Sequence, residues 1–175
     1  VGSEMCIRDR FGGMNLFDSL IHAFGSAGTG GFSNYADSVG HFDSAYIDYV
    51  ISIFMILFGI NFNLYYFMLL GDFKAFWKNE ELRVYIGIIA TATILITLNT
   101  NQMYGSIMKA FQYALFQVST IITTTGYATT DFNLWPTFSQ CIVVLLMIIG
   151  ACASSTGGGI KVSRLMIVFK GCLLY

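Results

Sequence analysis

A run of hydroxyl residues inside an otherwise apolar chain sets the terms for the fold. Ser119-Thr-Ile-Ile-Thr-Thr-Thr-Gly-Tyr-Ala-Thr-Thr130 overlaps the end of an apolar segment, Ile107 to Ile122. That segment is apolar enough to enter a membrane but too short to cross one comfortably, since a spanning helix needs roughly 20 apolar residues. A short helix followed by a Thr/Gly turn implies a re-entrant loop, which dips into the bilayer and returns on the same side. Irregular backbone at that depth survives only where protein buries it or where it lines a water-filled cavity. Extended Thr-Thr-Gly backbone offers a row of carbonyl oxygens, and cages of such oxygens replace the water shell of a cation.

Composition supports a membrane setting. Hydrophobic residues make up 55% of the chain and charged residues only 11%, well below the roughly 25% usual in soluble domains. The mean hydropathy is +0.66. A net charge of -1 supplies no basic footprint, so nucleic acid is not an expected partner. Cys6, Cys141, Cys152 and Cys172 lack metal-ligand spacing and read as small apolar residues. An intramembrane enzyme would need a Ser/His, Asp/Asp or His/Glu set within its spans. His22 and His41 have no such company, so no catalytic residues are expected.

Along the chain, residues 1–10 (VGSEMCIRDR) are out of keeping with the apolar segments beyond them and have no signal-peptide layout. They resemble a translated sequencing-adapter run, and the fold reading excludes them as non-native. Residues 11–70 form one unit. It holds a short helix from Met14 to Ala27, a loop at Thr29-Gly30-Gly31-Phe32-Ser33, a polar stretch, and a span from Ala45 to Leu70. Residues 71–83 read as a charged cytoplasmic loop. Residues 84–175 form a second unit, with a span at Val84–Leu98, the short helix and Thr-rich loop, and a span from Phe138. That last span is interrupted by Gly150-Ala-Cys-Ala-Ser-Ser-Thr-Gly-Gly-Gly159 and resumes at Ile160.

Sliding the chain on itself by about 95 positions lays one half on the other, and repetition of this kind outranks local signals in assigning a fold. Thr29 to Ser33 falls on Thr124 to Ala128, and His22 falls on Gln117. The expected fold is all-α and membrane-integral, built of repeated span, re-entrant loop, span units, the first lacking its opening span. Lys74, Lys78 and Arg83, with Lys161, Arg164 and Lys170, mark the cytoplasmic side. Asp37, Asp43 and Asp131 then mark the outer side, where carboxylates would concentrate cations.

Three motifs carry a family resemblance: Ala27-Gly-Thr-Gly-Gly-Phe-Ser33, Thr123-Thr-Thr-Gly-Tyr-Ala-Thr129 and Ser155-Thr-Gly-Gly-Gly-Ile-Lys161. In this order and spacing they resemble the Trk/Ktr/HKT superfamily of potassium-uptake proteins, with the bacterial TrkH/KtrB-type pore subunits most similar. The resemblance implies a potassium channel-like pore of four units, of which this chain holds the second and third. It implies a filter made by Thr29, Gly30, Gly31, Thr123, Thr124, Thr125 and Gly126, with Gly31 and Gly126 as the filter glycines and K+ as the transported ion.

It also implies a gate at the intramembrane loop: Gly150, Ser154, Ser155, Thr156, Gly157, Gly158 and Gly159, with Lys161 just beyond. No bound cofactor is implied. A homodimer in the cell's inner or plasma membrane is, with lipid around it and a cytosolic nucleotide-binding regulatory subunit.

Other readings compete with these. A secondary transporter for a small organic substrate or sodium would also use paired re-entrant loops, although such proteins usually carry inverted repeats, and these run in one orientation. Thr123 to Gly126 would otherwise be a Thr-rich helix end, and the Gly150–Gly159 break a kink for helix packing. Gly157 to Lys161 lacks the spacing of a phosphate-binding loop. Lys161 and Arg164 double as positive-inside anchors. Asp48, Trp77 and Trp135 read as interfacial, and Asn61 and Asn63 as inter-span hydrogen-bonding residues.

Overall fold

A computed structural model describes residues 2–71 and 73–173. Val1, Asp72, Leu174 and Tyr175, which fall inside the expected segments, lie outside the described residues, as does the side chain of Lys74. Among the described residues the fold is all-helical, with one isolated bridge between Ile149 and Ile160 and no strand.

Helix α1 (Gly2–Phe11) packs on α2 (Leu16–Ala27) and α3 (Ala45–Phe58). Asn15 starts α2 by accepting a hydrogen bond from the Asp18 backbone N–H, an N-cap that supplies one of the helix's orphan donors with a partner. After α3 come α4 (Phe62–Leu69), α5 (Phe73–Lys78) and α6 (Glu80–Tyr104). The second short helix is α7 (Ile107–Ile122), followed by α8 (Thr137–Ile148) and α9 (Val162–Leu173). Helix α7 occupies the expected segment end for end.

Helix α6 is the one described helix long and apolar enough to cross a bilayer unaided. Its 25 residues reach about 37 Å at 1.5 Å per residue. The span at Val84–Leu98 is therefore completed by polar flanks. Asn79 caps the start by accepting from Leu82 N–H, and Gly105, left-handed at φ +64°, ends the helix. Part of the expected charged loop is thus helical, as α5 and the first turn of α6.

The expected continuous span from Ala45 to Leu70 is two helices, bent by 89° between Phe58 and Phe62. A break inside a membrane frees backbone groups that must find other partners. Here the Tyr65 hydroxyl donates to Leu57 O at 2.7 Å and the Tyr85 hydroxyl to Ile56 O at 3.2 Å. Asn61 caps α4 by accepting from Asn63 N–H. Gly59 makes room: a Cβ there would stand 2.2 Å from the Tyr85 oxygen.

Two cores flank α7. Ala114, Val118 and Ile122 pack with α6 and α8 around Tyr85, Ile89, Ile96 and Val143. Phe116, with Tyr127 from the loop beyond α7, packs instead among Ile47, Ile51 and Met55 of α3 and Ala23 of α2. The second short helix is therefore wedged between the two cores. In α1, Met5 and Cys6 are buried in this second core, and Asp9 is buried with neither carboxylate oxygen hydrogen-bonded.

The bend at Gly59 gives a stability test. In the full-length protein in detergent, Tyr85→Phe is expected to cost about 1 kcal/mol for the lost hydrogen bond. Gly59→Ala should cost more, through collision with the tyrosine oxygen. The double variant should melt higher than the sum of the two losses predicts, because the clash goes with the hydroxyl. Thermal unfolding of the four proteins checks this; strict additivity would mean that the two residues do not meet.

Candidate functional site

The two Gly/Thr loops have one backbone shape. Thr29 and Thr124 have φ of +50° and +57°, and Gly31 and Gly126 have +65° and +93°. Thr29 N–H donates to Ser26 O and Gly30 N–H to Gly25 O; at equivalent places Thr124 N–H donates to Ile121 O and Thr125 N–H to Thr120 O. The Thr124 hydroxyl also donates to Thr123 O, and the one Thr29 hydroxyl proton is shared between Gly28 O at 2.8 Å and Thr156 O at 3.0 Å. A β-branched residue in the left-handed region is a true outlier, costing about 1–2 kcal/mol. Its recurrence at matched positions marks an imposed geometry. Positive φ at every second residue is the kind of alternation that turns successive peptide groups to one side.

The loops meet. A Cβ on Gly31 would stand 2.0 Å from the Thr125 carbonyl oxygen, so only glycine fits that approach, whereas a Cβ on Gly126 would enter open space. Both loops begin where a short helix ends, α2 at Ala27 and α7 at Ile122. Each therefore receives the partly negative end of a helix dipole, which favours a cation.

The glycine break lies against both loops. Thr29 Oγ1 donates to Thr156 O at 3.0 Å, and Gly158 N–H donates to Thr124 Oγ1 at 2.7 Å. Gly157 is buried beside the Thr123 carbonyl. Within the break, Lys161 Nζ donates to Gly157 O and, at 3.4 Å, to Ser155 Oγ, while Ser155 Oγ donates to Cys152 O. Gly150 N–H donates to Ile160 O, closing the arch. A Cβ on Gly150 would lie 2.1 Å from the Gly158 carbonyl oxygen. The arch is tied to the α3–α4 bend as well: Cys152 N–H donates to Gly59 O and Phe62 N–H to Ser154 O.

Of the residues expected at the site, Thr29, Gly31, Thr124, Thr125, Thr156, Gly157 and Gly158 converge. Gly126 borders open space beside them. Thr123 is buried, with its hydroxyl donating to Ser119 O and paired with Thr125 Oγ1. Gly30 and Ser154 are exposed, and Ser154 and Gly159 are both left-handed.

On the side from which the loops return, Asp37, Gly40, Thr129, Thr130 and Asp131 line a cavity of about 510 Å³. Its two carboxylates follow the two loops in turn.

Several supporting residues carried no obvious sequence signal. Asp18, buried in α2, accepts from Asn34 and from the Tyr35 hydroxyl, fastening the strand that leaves the first loop. The bond to Asp18 pushes the Tyr35 phenol above its usual pKa. Tyr127 stacks on His22 at 5.5 Å, its hydroxyl donates to His22 O, and Gly25 leaves space for it. Asp48 is buried and accepts from Gln112 of α7. Trp135 is buried with its indole N–H on the Tyr104 hydroxyl, while Trp77 is exposed.

Fold and loops together define a helical membrane protein in which two re-entrant helices carry matched Gly/Thr loops over a broken span. Residues 3–174 match the family described as TrkH, cation transport protein, and the chain belongs to that family. It is 37% identical over 163 residues to the Trk system potassium uptake protein TrkH of Escherichia coli K12, covering 91% of this chain and 34% of the relative. It is 33% identical over 168 residues to TrkG of the same strain, covering 92% and 34%. The crystal structure of the potassium transporter TrkH from Vibrio parahaemolyticus superposes with a TM-score of 0.92 at 33% identity, over 98% of this chain and 38% of that one. The chain thus spans about a third of the length of the curated relatives it matches.

The two site glycines should respond differently to substitution. Gly126→Ala is expected to cost about 1–2 kcal/mol, the penalty of a side chain at positive φ. Gly31→Ala should cost more, because its Cβ overlaps the Thr125 carbonyl as well. Membrane expression level and melting temperature of the two variants check the order, and equal losses would contradict the close approach of the loops.

Proposed function

We propose that this chain is the central part of a pore-forming subunit of a potassium-uptake system, comprising the second and third of four span–loop–span units. The observation that carries the reading is the pair of loops with the same left-handed Thr and Gly backbone, touching each other and resting on one glycine break. The relatives' names supply the ion, K+.

On this reading carbonyls of Thr29, Gly30, Gly31, Thr123, Thr124, Thr125 and Gly126 replace water around the ion, together with two further strands. The dipole ends of α2 and α7 stabilise the charge. Asp37 and Asp131 lie at the outer mouth and raise the local cation concentration. Entry is driven by the membrane potential, about 2.3 kcal/mol per charge per 100 mV. The arch from Gly150 to Gly159, with Ser154, Ser155, Thr156, Gly157, Gly158 and Lys161, is the gate beneath. Its hydrogen bonds to Thr29 and Thr124 support that role.

The remaining assignments rest on the same reading. Residues 11–70 and 84–175 are the two pore units, and 71–83 the cytoplasmic connection. Residues 1–10 are read as a non-native run from their charge and layout, although α1 buries Met5 and Cys6 in the second core. The full-length protein lies in the inner or plasma membrane with the loops facing outward, surrounded by lipid. It dimerises and works with a cytosolic nucleotide-binding regulatory subunit; the relatives' designation as a Trk system is in keeping with several components.

Rubidium uptake with sodium competition, in potassium-starved cells expressing the full-length protein, tests the filter. Gly126→Ser is the better probe because its side chain meets open space. Uptake by the wild type should resist sodium, and the variant should lose that resistance. Equal sodium resistance in both would remove the filter assignment.

A further inference from the structure

The break between α8 and α9 is held by one charged side chain from elsewhere in the fold. Glu81, in the first turn of α6, accepts two backbone hydrogen bonds on the same oxygen, Oε1. Ala153 N–H, inside the break, donates at 2.6 Å, and Ser163 N–H, in the first turn of α9, donates at 3.2 Å. The other hydrogen bonds described between the break and its surroundings use backbone groups or threonine hydroxyls. Glu81 thus bonds to backbone on both sides of residues 154–158.

We propose that Glu81 is the positioning residue of the gate, a latch that holds the arch where it touches Thr29 and Thr124. The inference rests on reading the break as a gate. Hydrogen bonds to a carboxylate are about twice as strong as neutral ones. The Ser163 N–H is one of the orphan donors at a helix start, where an anion is further favoured by the dipole. A displacement of the arch that draws Ala153 or Ser163 away from that oxygen gives up a charge-assisted bond at a half-buried site. The neighbouring Glu80–Lys170 pair joins the same two helices, but both partners are more than half exposed, and such pairs contribute little. Glu81 therefore weights the equilibrium between a seated and a displaced arch.

Rubidium uptake by the full-length protein, normalised to its amount in the membrane, reads the latch. Glu81→Ala should raise basal uptake about tenfold, the factor expected for losing a hydrogen bond to a charged group. Glu81→Gln keeps an oxygen acceptor and should rise much less. Ser163→Pro removes one donor at a helix start, where proline is tolerated, and should fall between them. Removal of residues 154–158 tests the gate itself.

If that deletion raises uptake while Glu81→Ala and Ser163→Pro match or fall below the wild type, the latch is wrong and the gate stands. If the deletion leaves uptake unchanged, the gate reading fails and the latch with it. Should Glu81→Ala be missing from the membrane, Ser163→Pro decides: a rise supports the latch, and wild-type uptake overturns it.

Discussion

Hydrocarbon does not hydrogen-bond, and the architecture is dictated by where the backbone stops bonding to itself. Two of the segments that leave helical geometry lie between α3 and α4 and between α8 and α9. Each frees N–H and C=O groups that would cost several kcal/mol if left unpaired. They are paired with each other, through Cys152 N–H to Gly59 O and Phe62 N–H to Ser154 O. Tyr65, Tyr85 and Glu81 pair with others. The bend and the break form one hydrogen-bonded layer.

The Gly/Thr loops complete that layer from the other side. Their left-handed threonines are strained, and strain of this size persists only where the surroundings dictate it. The surroundings are identifiable. Phe116 and Tyr127 anchor α7 and its loop in the core formed with α1, α2 and α3, and Gly31 admits the Thr125 carbonyl. The hydroxyls of Thr29 and Thr124 bond to the break. The same hydroxyl type thus serves both the local turn and the contact below it, which is why threonine rather than glycine suits these left-handed positions.

Much of this was legible in the sequence because short helices and glycine clusters leave strong local marks. The ends of α7, the matched loops and the interruption after α8 are all set by polarity and length. The bend at Gly59 was not legible, because Phe58-Gly59-Ile60-Asn61-Phe62 is apolar enough to pass as span interior. Only Asn61, an N-cap residue type, hinted at a new helix start. Asp18, Asp48 and Glu81 were obscured for a related reason. A carboxylate near a helix start reads as a solvated end, and its acquisition of a distant partner depends on packing. Glu81 meets Ala153 and Ser163 only because α6 and α9 lie side by side. Likewise, nothing in the sequence shows that Tyr104 holds the Trp135 indole.

The contact between loops and break has a thermodynamic consequence. Displacing the arch removes Thr156 O from Thr29 and Gly158 N–H from Thr124, so the loops lose support at the two residues whose backbone is most strained. On the proposed reading those residues belong to the ion site, and the ion therefore binds loops of different stiffness in the two states of the arch. Linkage makes such an effect reciprocal: if the arch alters ion affinity, occupancy by the ion alters the arch by the same factor. The coupling needs no long pathway, because two hydrogen bonds span the whole distance between the sites. It also makes Thr29 and Thr124 unequal partners, since the first donates to the arch and the second accepts from it. Losing either hydroxyl leaves a different backbone group of the break unpaired, a carbonyl at Thr156 or an N–H at Gly158. Both groups lie at exposed positions, so water can replace either lost partner, and the two ties differ in length, 3.0 Å at Thr29 and 2.7 Å at Thr124.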